Sequence, residues 1–407
     1  MSSDPQQKLL QYPTFIRFWL ARIASAAANQ MLTVAVAWQI YQLTGSAMDL
    51  GLVGLFQFLP RLLLTATAGN LADSHDRKKI AVAAQLIQVI ALTVLLILTV
   101  TDQISRHWIF ALVALSGTAR AFDMPATSAL LPNLVPAALL SRAVAVSASA
   151  IQAAFIIGPA LGGLLYAFGA TVVYGVTLTL FVVAAIAFMA IPPQPPATPG
   201  NDDGQWKKFI DGLIFIRGQR VVLGAISLDM FAVLFGGATA LMPIIAEELL
   251  HTGPWGLGLL RSAPAVGALI ISFWLARHPL DKRVGHILFA SVALFSLATI
   301  GFGLSSNLWL SLLLLALLGA ADMVSVVIRG SLVQLQTPDH MRGRVSAVNS
   351  IFIGASNQLG EFESGVTAAL FGAVPAVILG GVCSLAVTGL WMRWFPQLRK
   401  AESLQGH

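Results

Sequence analysis

Charge is what this sequence has least of: only 10% of its 407 residues are Asp, Glu, Lys or Arg, against about a quarter in ordinary soluble domains. A water-soluble globule of this length is thereby excluded. Cysteine is scarcer still. The lone Cys383 rules out an intrachain disulfide and any cysteine-cluster metal site, and its expected role is that of a small buried hydrophobe. None of the seven histidines falls in the middle of an apolar run, so a histidine proton relay is not expected. A GxxxxGK[ST] phosphate loop, paired CxxC motifs and a GxSxG elbow are missing, which leaves ATP hydrolysis, zinc chemistry and serine hydrolysis without support. An enzyme is not expected, nor a metal or organic cofactor.

What the chain does have is apolar length. Hydrophobic residues make up 57% of it, gathered in runs near the roughly 20 residues that a helix needs to cross a bilayer. Twelve such runs are read, at about 17–43, 48–68, 80–100, 107–130, 139–168, 171–192, 219–247, 256–277, 285–304, 308–332, 345–371 and 374–395. Backbone amides in hydrocarbon must bond within their own segment, so these runs are helices, and the alternating ten-residue pattern of an outer-membrane barrel is absent. The expectation is an all-α membrane protein.

Lys and Arg set its orientation, because cytoplasmic loops carry an excess of them. With the N-terminus inside, Arg77, Lys78, Lys79, Arg142, Lys207, Lys208, Lys282, Arg283, Arg342, Arg344, Arg399 and Lys400 all fall on the cytoplasmic side, and Arg106 alone outside. Both termini are therefore expected in the cytoplasm. The spread of these cations over many loops accounts for a formal charge of +6 without a nucleic-acid-binding face. The N-terminal MSSDPQQKLLQYPTF lacks a basic start and short apolar core, so no cleavable signal is expected and the first span does the targeting.

The longest connector, 192–220, begins as a proline-rich linker. It then places Trp206, Phe209, Ile210, Leu213 and Ile214 on one helical face, with Lys207, Lys208 and Asp211 opposite, the pattern of an interfacial helix. Three parts follow: residues 1–192 as one six-helix bundle, 193–218 as cytoplasmic linker, and 219–407 as a second bundle with a short tail. The chain also repeats itself. A shift of 202 superimposes Leu112 on Leu314, Gly117 on Gly319, Pro136 on Pro338, Arg142 on Arg344, Gly158 on Gly360 and Gly163 on Gly365. A shift spanning six helices, an even number, gives two copies of the same orientation, the parallel repeat of transporter halves.

At this point the residues resemble a family. GNLADSHDRKK, at 69–79, is similar to the loop motif between the second and third helices of the major facilitator superfamily, with Gly69, Leu71, Asp73, Arg77 and Lys78 matching and Ser74 and Asp76 departing. GPALGG, at 158–163, resembles the fifth-helix motif of its antiporters. The stretches AFDMPATSALLPNLVPAALLSRAVAV and LVQLQTPDHMRGRVSAVNS resemble its enterobactin exporter and macrolide efflux branch. The resemblance implies twelve helices in two pseudo-symmetric bundles. It also implies a cytoplasmic latch at Gly69, Asp73 and Arg77, whose charge-assisted contacts form only while that side is closed. The plainer alternative is that the cations there only stop translocation. Gly158, Pro159 and Gly162 are expected either to seal one side during transport or simply to let a neighbouring helix pack closely.

An ionised side chain near the bilayer centre costs about 2.5–3.5 kcal/mol on insertion scales, so each one asks for a reason. Arginines 22, 61, 120, 261 and 329 fall within spans. Asp123 and Asp322 lie near mid-depth in the fourth and tenth spans, and Arg120 superimposes on Asp322 across the repeat, which suggests opposite charges facing one cavity. Arg22, Asn29 and Gln30 in the first span, Asp229 in the seventh, Arg329 in the tenth and Glu361 in the eleventh complete the expected substrate and proton pathway. A static ion pair is the alternative for any one of them. Glu363 and Arg261 are expected to reach an interface.

The reading is a secondary transporter of the inner membrane, a monomer that exports an amphipathic small molecule, siderophore or drug-like, by alternating access in exchange for protons. The proton gradient is its expected energy source and the lipid bilayer its other partner. An uptake permease for a sugar or organic acid, or a membrane sensor that does not transport, remain open.

Overall fold

The computed structural model describes residues 9, 11–192, 205–278, 280 and 282–403, and among them no strand occurs. Six long helices come first: α1 (Pro13–Thr44), α2 (Ala47–Ser74), α3 (Arg77–Val100), α4 (Arg106–Leu130), α5 (Ala137–Tyr166) and α6 (Ala170–Met189). A shorter α7 (Gln205–Gly218) precedes α8 (Arg220–Phe235), α9 (Gly253–Arg277), α10 (Val284–Leu304), α11 (Leu308–Leu335), α12 (Asp339–Phe371) and α13 (Ala373–Trp394). Among the described residues ten segments are long and apolar enough to cross a membrane, with α8 counted through to Leu249. The other two long helices are α4 and α12, of 25 and 33 residues; their charged side chains lower their hydropathy without shortening them. The twelve expected spans are consistent with this set.

Local chemistry fixes the helix ends. Asp76, a departure from the family motif, has a structural job: its Oδ1 accepts the Lys78 amide at 2.9 Å and caps α3. Asn307 caps α11 in the same way, accepting the amides of Trp309 and Leu310 at 2.9 and 3.2 Å. Gly45 ends α1 at φ 60°, its amide bonded to the Tyr41 carbonyl at 2.7 Å, a left-handed cap that glycine adopts at no steric cost.

Three expectations need correction. The seventh span is not one helix: α8 stops at Phe235, and Gly236 and Gly237 lead into a 3-10 turn, a single helical turn and a π turn that ends at Leu249. Paired glycines weaken a helix and Pro243 withholds an amide, and a Cβ on Gly236 would stand 2.6 Å from the Phe295 ring. Cys383 lies on the exposed face of α13 rather than in a core, as it can where the surroundings of a spanning helix are as apolar as its interior. In α7, Asp211 does not face away from the protein. It pairs with Arg344 of α12 at 2.9 Å, while Phe209, Phe215 and Ile216 join a core with Val345 and Val348. The opposite face of α7 exposes Ile210, Leu213 and Ile214, so the apolar residues read as one stripe divide between two sides. The proline-rich 193–204 and the side chains of Trp206, Lys207 and Lys208 lie outside the described residues.

The helices gather into two units, one of Met1–Gly45 with Phe56–Asn201 and one of Ser46–Leu55 with Asp202–His407. In the first, α1 packs on α5 and α6, and α3 on α4 and α6; in the second, α8 packs on α12 and α13, and α10 on α11 and α13. The pairings correspond one to one, so the sequence repeat is a repeat of packing. Small residues make the closest contacts: a Cβ on Gly162 would meet the Met31 Cα of α1 at 2.9 Å, and one on Gly360 the Leu234 carbonyl of α8 at 2.8 Å.

Candidate functional site

Within the first unit, one face of α4 collects polar side chains from three other helices. Arg120, Asp123, Met124 and Thr127 stand at spacings of three and four, which aligns them along the helix. Arg22 of α1 donates to the Thr127 hydroxyl at 2.7 Å, and that hydroxyl bonds in turn to the Asp123 carbonyl at 2.8 Å. Gln85 of α3, almost fully buried, donates to Asp123 Oδ1 at 3.0 Å. Arg61 of α2 reaches the Met124 thioether at 3.3 Å. Arg22 and Arg120 both act electrostatically on the Asp123 carboxylate, which is thereby held by one amide and offset by two cations. Gln85 and Arg61 are additions to the sequence-derived set. Gln85 and Gln88 are amides in an otherwise apolar span, which was the available signal, whereas Arg61 was visible as a charge in a span with no indicated partner.

The second unit builds its site at the equivalent place with other charges. Shifting Arg120, Asp123 and Thr127 by 202 gives Asp322, Ser325 and Arg329, again one face of a helix, α11. Arg329 is ion-paired with Asp229 of α8, both side chains over nine-tenths buried. Alongside lies a pocket lined by Asp229, Ala232 and Val233 of α8, Val292 and Phe295 of α10, and Ala321, Asp322 and Ser325 of α11. Asp322 makes no hydrogen bond or ion pair among the described residues. Arg120 stands by Asp123 of its own helix and acts on its charge.

Other expected residues scatter. Glu361 of α12 acts on the charge of Arg261 of α9, whose Nε is buried with no hydrogen-bond partner among the described residues, so Arg261 does not reach an interface. Glu363 accepts the Thr367 hydroxyl at 2.7 Å. Asn29 turns back onto the Ser25 carbonyl of its own helix at 2.8 Å, and Gln30 packs against Gly158; neither joins the α4 cluster. Gly158 and Gly162 seat α1 on α5, with Pro159 buried between them. Of the loop motif, Gly69 lies within α2, the Asp73 side chain is outside the described residues, and Arg77 donates to the Ala129 carbonyl in the last turn of α4 at 2.9 Å. Among the described residues no group of acids, histidines and cysteine is arranged to hold a metal ion.

Two repeated helical units, each with a few ionised groups turned onto one another, define a multi-pass membrane transporter. Residues 8–406 match the family described as transmembrane secretion effector, and the chain belongs to that family, within the major facilitator superfamily. Over 379 residues it is 22% identical to macrolide efflux protein A of Streptococcus pyogenes, covering 92% of this chain and 94% of that one. Over 382 residues it is 26% identical to the enterobactin exporter of Citrobacter koseri, covering 94% and 89%. Among solved structures it resembles a bacterial homologue of the iron transporter ferroportin, at TM-score 0.73 and 16% identity over 95% of this chain and 98% of that one. It also resembles the nucleoside transporter NupG, at TM-score 0.70 and 14% identity over 94% and 99%. Relatives and structural neighbours alike are transporters and not enzymes.

Proposed function

We propose that this transporter exports an amphipathic small molecule, siderophore or drug-like, from the cytoplasm across the inner membrane in exchange for protons, working as a monomer with both termini in the cytoplasm. The observation that carries the proton is Asp322: a carboxylate facing a pocket, with no partner among the described residues, next to the buried Asp229–Arg329 pair. Asp229 is committed to Arg329 and Asp123 to Gln85, which leaves Asp322 as the acid free to trade its proton as the protein changes state. One charge moved through 100 mV is worth about 2.3 kcal/mol, enough to bias a cycle. The efflux activity named for both relatives supports the outward direction. Proteoliposomes with an imposed pH gradient and an internal pH dye test the reading, screened with catecholate siderophores and macrolides. Cargo-dependent collapse of the gradient is expected. A protein that binds cargo without moving protons would contradict it.

A further inference from the structure

We propose that α7 binds anionic phospholipid at the bilayer surface, with its outer face in the headgroup layer, and thereby holds the start of α12 in place. One residue, Gln219, separates α7 from α8, and α8 opens a membrane-spanning segment at Arg220, so α7 lies at the membrane border. Trp394 marks the same level. It is exposed, as tryptophans at a bilayer surface are, and a Cβ on Gly224, one turn into α8, would stand 2.8 Å from the ring of its neighbour Phe395. The outer face of α7 carries Ile210, Leu213, Ile214 and Arg217 at helical spacing, all of them exposed and Ile214 to 65%. Apolar residues beside a cation on one face suit a helix that lies in the interface. Arg217, Arg220, Arg393 and Lys400 are exposed at this end of the second unit, and none makes a hydrogen bond or ion pair among the described residues. Asp211 and Asp339 are committed to Arg344 and Arg342, which leaves Glu402 as the remaining described acid there. Such an excess of cations next to the membrane attracts anionic headgroups. The inner face of α7 is bound to α12: beside the Asp211–Arg344 pair, a Cβ on Gly212 would stand 2.8 Å from the Arg344 carbonyl, and Phe209, Phe215 and Ile216 pack with Val345 and Val348. Whatever fixes α7 therefore fixes the first turns of α12.

The test uses the full chain in nanodiscs of phosphatidylcholine, alone or with a third of the lipid replaced by phosphatidylglycerol, and reads amide exchange. Phosphatidylglycerol is expected to slow exchange across 205–218 and 339–348 roughly fivefold, with no change in α1. Arg217→Gln combined with Arg220→Gln should abolish that difference, Arg217→Lys combined with Arg220→Lys should keep it, and high salt should weaken it. A nitroxide attached at Ile214→Cys, in a chain that also carries Cys383→Ser, should be reached more readily by dissolved oxygen than by a water-soluble nickel complex. Equal exchange in the two nanodiscs, a lipid difference that survives the paired glutamine substitutions, or a label reached best by the nickel complex would overturn the proposal. None of these readouts involves cargo or protons, so their outcome is independent of the export reading.

Discussion

Asp229 and Arg329 show how one residue's cost depends on its neighbour. Both are buried at the crossing of α8 and α11, and removing one partner strands the other charge in a low-dielectric interior, at about 3–5 kcal/mol. Arg329→Met alone should therefore lower the thermal unfolding midpoint in detergent markedly, and adding Asp229→Leu should recover most of the loss. If the double variant is as unstable as the single one, the pair is not what sets the cost. The sequence placed both charges in spans but could not join them, since 100 residues separate them and each also had a reading as part of a pathway. Gln85 was harder still: two amides in an apolar run, Gln85 and Gln88, mark the span as unusual but do not say which of them will lie against Asp123. Asp211 misled for a related reason, because helical periodicity set it among the solvated lysines while its partner Arg344 stood 133 residues away.

Helix against helix, small residues decide how closely the chains approach. Any side chain at Gly162 runs into the Met31 backbone, so Gly162→Leu should separate α1 from α5 and cost several kcal/mol in stability, measured by thermal unfolding. Gly175 in α6 has no atom within 4 Å of where a Cβ would be, so Gly175→Ala should be neutral or stabilise by up to about 1 kcal/mol. Equal losses at both positions would contradict this packing account. The linker helix makes a separate case. Asp211→Ala removes its ion pair to α12, and amide exchange across 205–218 should speed up severalfold, with little change in α1. The hydropathy of the spans was legible from composition because the bilayer imposes one length and one chemistry on all of them. The break after Phe235 was not, because it rests on Gly236 meeting Phe295 and Gly237 meeting Gly360, contacts that exist only after folding.

Across the whole molecule, two units share one pattern of helix pairing and differ in what they charge. The position that is Arg120 in one is Asp322 in the other, and Thr127 becomes Arg329. The repeat was legible because it left identical glycines and prolines at fixed spacing, while the separate pairing of charges in each unit was not, because it lies in the residues that differ. On this account Asp322, in the second unit, carries the proton. The most direct test compares two activities of Asp322→Asn in proteoliposomes: cargo counterflow, which needs no net proton movement, and cargo flux driven by a pH gradient. Counterflow should persist at near wild-type rates while gradient-driven flux is lost. Gradient-driven flux that survives the substitution would show that the proton travels elsewhere.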